Sequence, residues 1–110
     1  MEVKKASQSN CNGVKFSVED SGREVGRAYL YVITNDLHDT PYGLLEDVFV
    51  DPDYREQGLG TQLVQAIIKE ASRQRCYKLI GTSRYDRPSV HAWYIKMGFN
   101  DYGKEFRMDL

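Results

Sequence analysis

Leu45-Glu46-Asp47-Val48-Phe49-Val50-Asp51-Pro52-Asp53-Tyr54-Arg55-Glu56-Gln57-Gly58-Leu59-Gly60 runs from an apolar stretch through a proline to a pair of glycines. The apolar part belongs to a strand over 42–50, closed at Asp51-Pro52-Asp53 because proline cannot continue a ladder. Beyond the turn, Gly60, Leu63, Val64, Ile67, Ile68 and Ala71 recur at helical spacing, with Gln62, Gln65, Lys69 and Arg73 left for the other faces. The stretch therefore reads as strand, glycine turn, then a helix whose apolar side packs on a sheet.

Upstream, Val14 to Asp20 alternates apolar and polar residues, Ser21-Gly22 marks a turn, and the run from Arg23 to Thr34 is aromatic and β-branched until the polar segment Asn35 to Pro41. Two strands joined by a hairpin are predicted, followed by a longer loop. Downstream, Cys76 to Thr82 reads as a short buried strand. Pro88 opens a second helix, where its missing N–H costs little, with Val90, Trp93, Tyr94 and Met97 on its apolar side. Gly98 suits the left-handed residue past the helix end, and Glu105 to Leu110 reads as a final strand. The predicted order is βββαβαβ, an α/β (α+β) arrangement on a mixed, mostly antiparallel sheet.

A chain of 110 residues with 41% hydrophobic content is expected to form one domain over 1–110, residues 1–13 being a flexible or irregular start. The formal charge of -1 gives no broad basic footprint for nucleic-acid phosphates. No apolar stretch reaches the ~20 residues needed to cross a bilayer, so neither nucleic acid nor membrane is an expected partner. Cys11 and Cys76 lie outside any metal or redox spacing. They are read as reduced thiols of a cytoplasmic protein, and no metal is expected.

The chemistry concentrates at the glycine turn. A helix start offers free N–H groups and the positive end of the dipole, Gly58 and Gly60 let a pyrophosphate approach the backbone, and Arg55 adds a charged contact. Read alone, the hexapeptide Arg55 to Gly60 serves a structural turn equally well. It is not a Walker loop, because Thr61 follows without lysine, and it lacks the third glycine of a dinucleotide fingerprint.

The motifs together resemble the GNAT N-acetyltransferase superfamily, with features of its diamine-acetyltransferase-like members: Leu45-Glu46-Asp47-Val48-Phe49-Val50, Pro52, Tyr54-Arg55-Glu56-Gln57-Gly58-Leu59-Gly60, Trp93-Tyr94 and Gly98-Phe99. The resemblance implies that the turn Arg55, Glu56, Gln57, Gly58, Leu59, Gly60 and Thr61 binds the pyrophosphate of acetyl-CoA through backbone amides. It further implies that main-chain groups of Val48, Phe49 and Val50 pair with the pantetheine arm like an added strand. The expected activity is transfer of the acetyl group to a primary amine by direct attack in a ternary complex. Deprotonating a lysine-like amine at pH 7 costs about 4 to 5 kcal/mol, and the departing thiolate benefits from a proton donor. Tyr94, at the tyrosine position of the aromatic-Tyr-x-x-x-Gly-Phe segment, is the expected general acid. Glu46, a carboxylate in an apolar strand, is the expected base, with Asp47 on the opposite face. Each has a plainer reading, Tyr94 as a core aromatic and Glu46 as a solvated or salt-bridged carboxylate.

Other residues carry weaker signals. His91 reads as a surface or capping histidine, Cys76 as a small core residue, and Arg87, where many members place asparagine, as a phosphate contact or a helix cap. Typical members begin with a strand and two helices that wall the acceptor side, whereas here the first strand leads directly into a hairpin. That departure implies either an open site suited to a protein or peptide amine, or a homodimer whose second subunit completes the wall; the acceptor amine itself is expected to be a small molecule or a protein. It also favours the alternative function, a non-catalytic acyl-CoA-binding sensor or interaction module.

Overall fold

The computed structural model describes all residues, Met1–Leu110. Strands β1 (Asn12–Asp20), β2 (Arg23–Ile33) and β3 (Tyr42–Val50) precede a 3-10 turn (Pro52–Tyr54), helix α1 (Leu59–Arg73), strand β4 (Leu79–Gly81) and helix α2 (Pro88–Lys96). The sheet order is β1-β2-β3-β4. The first three strands form an antiparallel meander, and β4 runs parallel to β3 after the α1 crossover. This is the mixed, mostly antiparallel sheet read from the sequence. The β1–β2 hairpin turns through Ser21 and Gly22, both left-handed with φ of 52° and 80°, the geometry of a two-residue turn matched to strand twist.

One side of the sheet meets α1. Ala28, Leu30, Val32 and Leu45 pack with Leu63, Val64, Ile67 and Ala71 in a single buried cluster, so the helical spacing of the sequence marks the packed face. Ile68, expected on that face, stands at its exposed border. Trp93, Tyr94, Met97 and Phe99 close over the cluster from α2 and the turn after it. That turn is a Schellman motif: Gly98, at φ 104°, and Phe99 donate their amides to the carbonyls of Ile95 and Tyr94 at 3.0 and 3.1 Å.

Two predicted strands need correction. The strand over Cys76 to Thr82 contracts to Leu79–Gly81. The Cys76 amide instead caps α1 by donating to the Ala71 carbonyl at 2.9 Å, and the Tyr77 amide donates to Pro41, so neither joins the ladder. The final strand over Glu105 to Leu110 does not form. No main-chain hydrogen bond involves those residues, and alternation makes a strand only where a neighbouring edge takes up its hydrogen bonds. The observed order is thus βββαβα.

Candidate active site

Six consecutive amides, from Glu56 to Thr61, have no hydrogen-bond acceptor within the chain. The first turn of any helix leaves such donors, and the first main-chain bond into α1 is Gln62 N–H to the Gly58 carbonyl at 3.0 Å. Glu56 and Gly58 both adopt left-handed backbone, at φ 65° and 81°, so the chain curls before the helix, and the unpartnered N–H groups of such a curl are donors that suit an anion. A Cβ at Gly58 would meet nothing within 4 Å. The glycine is there for its φ, and the space before it is open. Gln57 is exposed and Leu59 half-buried.

Gly60 has another function. A Cβ there would lie 3.5 Å from the Trp93 ring, because the indole of α2 rests against the start of α1. The Trp93 Nε1–H donates to the Thr61 hydroxyl at 3.0 Å. An indole nitrogen only donates, so the Thr61 oxygen accepts and its own proton is turned to another partner. No such partner is found within the chain.

Arg55 donates from Nε to the Val50 carbonyl at 2.9 Å, bracing the turn against the end of β3. Its guanidinium also lies 5.8 Å from the centre of the Phe49 ring, and that of Arg27 lies 4.7 Å from it. Phe49 is thereby fixed outward between two cations, while Val48 and Val50 point to the core. Pairing of β3 with β4 covers only Gly43, Leu44 and Leu45. Beyond Leu45 the two strands part, and no strand pairs with that edge of β3 through Val50.

Asp47 marks the place where they part. Its φ is 51°, and the β2–β3 register slips there: Arg27 faces Phe49, but Tyr29 faces Glu46. Three steps on β3 match two on β2, which is a β-bulge. The bulge overturns the expected alternation, because Glu46 and Asp47 line the same cleft, of roughly 440 Å³, together with Val48, Arg84, Arg87 and Tyr94. Leu45 and Val48 both face inward, an odd spacing that an unbroken strand forbids.

Tyr94 is half-buried between Trp93 and Phe99, each with its ring centre 5.2 Å away, and its hydroxyl makes no hydrogen bond within the chain. Burial, then the nearby Glu46 carboxylate, pushes its pKa above the ordinary phenol value. Glu46 has no salt-bridge partner. Burial raises its pKa, and the Asp47 and Glu105 carboxylates raise it further. Glu46 thus forms no salt bridge, which leaves the readings of base and of solvated carboxylate, and it shares one cleft with Tyr94.

His91 caps no helix: its Nε2 lies 2.7 Å from the Arg84 carbonyl and ties α2 to the loop before it. Arg87 occupies the N-cap position of α2 but gives no side-chain cap; its side chain lines the cleft instead. Arg84, Glu105 and Arg107 also line it and were not foreseen, since no local pattern distinguishes them from solvated charges. Cys76 is half-buried, and burial pushes its thiol pKa up, away from a nucleophile's range.

The family model described as "Acetyltransferase (GNAT) family" matches residues 2–99. The glucosamine 6-phosphate N-acetyltransferase of Trypanosoma brucei brucei is 34% identical over 97 residues, spanning 86% of this chain and 63% of that protein. An aminoglycoside N(6')-acetyltransferase type 1 of Acinetobacter genomosp. 13 is 31% identical over 71 residues, 64% of this chain and 49% of the relative. This chain therefore spans between about half and two thirds of the length of these curated relatives. The crystal structure of a Trypanosoma brucei acetyltransferase superposes with a TM-score of 0.79 at 33% identity, covering 89% of this chain and 69% of that one.

Proposed function

The chain belongs to the GNAT acetyltransferase family, and on that premise we propose that it transfers an acetyl group from acetyl-CoA to a primary amine. The observation that carries the proposal is the run of six unpartnered amides from Glu56 to Thr61, which suits a pyrophosphate, with the Thr61 hydroxyl proton and the positive end of α1 added. Val48, Phe49 and Val50 would hold the pantetheine arm along the edge of β3 that β4 leaves free. When bound there, acetyl-CoA supplies the activated acyl group and a thiol leaving group.

The residues of the cleft then divide the proton transfers. Glu46, unpaired and with a raised pKa, accepts a proton from the incoming ammonium, directly or through water. A carboxyl nearer neutrality takes that proton with less mismatch than an ordinary one. Tyr94 supplies a proton at its hydroxyl to the departing sulfur. Its packing between Trp93 and Phe99 holds the ring still, so orientation adds to the chemistry. Asp47 and Glu105 stand with Glu46 as three carboxylates in the cleft, matched by the guanidiniums of Arg84, Arg87 and Arg107.

Calorimetric titration with acetyl-CoA, followed by thiol release on adding amino sugars, aminoglycosides and lysine peptides, tests the reading. Binding with release is expected, and the amine that triggers release names the acceptor class. Binding without release would favour the non-catalytic sensor, and no binding would overturn the assignment of the turn.

A further inference from the structure

The cleft of Glu46 and Tyr94 holds charges of both signs that do not meet. β3 and β4 pair only as far as Leu45, and the cleft opens where they part. Glu46 and Asp47 line it from the β3 side, Arg84 and Arg87 from the segment that leaves β4 for α2. None of the four enters an ion pair within the chain, and the side-chain hydrogen bonds at Arg84 all end on its carbonyl. Glu105 adds a further carboxylate, whereas Arg107 is already held by Asp109 at 2.8 Å.

The two free arginines come from one fixed turn. The Arg87 amide donates to the Arg84 carbonyl at 3.3 Å, closing a four-residue turn over Arg84-Tyr85-Asp86-Arg87. His91 reaches the same carbonyl at 2.7 Å; a carbonyl only accepts, so the imidazole carries its proton on Nε2 there. A backbone already ordered lowers the cost of bringing both guanidiniums to one ligand. Arg87 also stands at the N-cap of α2, so the positive end of that helix adds to the same wall.

Acetyl-CoA does not bring the missing anion. Its phosphates belong to the nucleotide half, which sits at the turn Arg55 to Thr61 in the proposed complex, and none of those residues lines this cleft. The pantetheine arm and the thioester are uncharged, so the negative partner of the arginines arrives with the acceptor. A volume of roughly 440 Å³ is that of a small-molecule site.

We propose that the acceptor is a small primary amine that also carries a phosphate or carboxylate, its ammonium directed to Glu46 and Asp47 and its anion to Arg84 and Arg87. The proposal rests on the acetyltransferase reading for the fate of the nitrogen, but not for the anion site itself. Opposite charges on two walls accept such a molecule in one orientation, because reversing it sets like charges together. Two guanidiniums match a phosphate monoester, with about -1.5 to -2 charges at pH 7, more fully than a single carboxylate.

Calorimetric titration, with and without coenzyme A, tests the anion site without turnover. Two matched pairs serve as probes: 2-aminoethanol against its phosphate ester, and propylamine against 3-aminopropanoate. In at least one pair the member bearing the anion should bind about tenfold or more tightly, and the larger gain names the anion. The double variant Arg84→Gln, Arg87→Gln should bring the members of that pair within about twofold; both side chains are exposed, so the core is untouched. Equal binding within both pairs would overturn the proposal, as would a preference that survives in the double variant. So would a loss of preference matched by an equal loss of acetyl-CoA affinity, which would place the arginines on the coenzyme. An amine that binds through the arginines yet releases no thiol from acetyl-CoA would leave the anion site standing and count against the acetyltransferase reading.

Discussion

At Tyr94 the surroundings turn a common core residue into a candidate acid. Aromatic packing holds the ring, while the hydroxyl is left unpaired beside an unpaired carboxylate. Tyr94→Phe keeps the packing and removes the proton; turnover should fall about 100-fold with acetyl-CoA affinity within about twofold, read by steady-state kinetics and calorimetry. Glu46 yields a prediction in pH. Its pKa is raised, so it is protonated and idle as a base at lower pH, and kcat/KM should decline as pH falls through that value. Glu46→Gln should flatten this acidic limb; an unchanged limb would assign it to another group. Gly58 is at φ 81°, where a side chain costs ~1–2 kcal/mol. Gly58→Asp should thus lose that much in urea unfolding, and acetyl-CoA affinity should drop at least about tenfold as a carboxylate enters an anion site. Undiminished affinity would disprove the placement.

Among the elements, the start of α1 and the body of α2 act as one unit through Trp93, which touches Gly60, donates to Thr61 and packs at a tilt against Tyr94. Sequence periodicity announced both helices and their apolar faces, but no spacing rule pairs Trp93 with Thr61 across 32 positions. Trp93→Phe retains most of the ring contact and loses one hydrogen bond, a net ~0.5–1.5 kcal/mol. Acetyl-CoA affinity should weaken about threefold to tenfold while turnover at saturation is kept. A change in turnover alone would show that Trp93 acts on Tyr94 rather than on Thr61. The strands follow the same division. β1 was legible from its alternation, β2 from its aromatic and β-branched run and β3 from an apolar stretch closed by proline, whereas residues 105–110 alternate as well as β1 and remain unpaired, since a ladder depends on a partner edge that local sequence does not describe.

Over the whole molecule, nine apolar side chains are buried, so the core is small and ligand binding should register in stability. Acetyl-CoA at a hundredfold excess over its Kd should add ~2.7 kcal/mol to unfolding, visible as a rise in melting temperature that the Gly58→Asp variant lacks. Absence of the rise in the unmodified chain would count against the coenzyme site.

What the sequence determined by itself is the set of local choices: the hairpin at Ser21-Gly22, the helical face from Leu63 to Ala71, the left-handed Gly98, and the glycine turn with its free amides. Each is fixed by backbone sterics or periodicity within a few residues. What only the tertiary structure decided is how distant pieces meet. The bulge at Asp47 brings Glu46 and Asp47 into one cleft, the parting of β3 from β4 leaves an edge free, Trp93 ties α2 to the turn, and the arginines 84, 87 and 107 converge beside Tyr94. These depend on register and packing between segments far apart in the chain, where the energy lies in contacts that neither segment encodes alone.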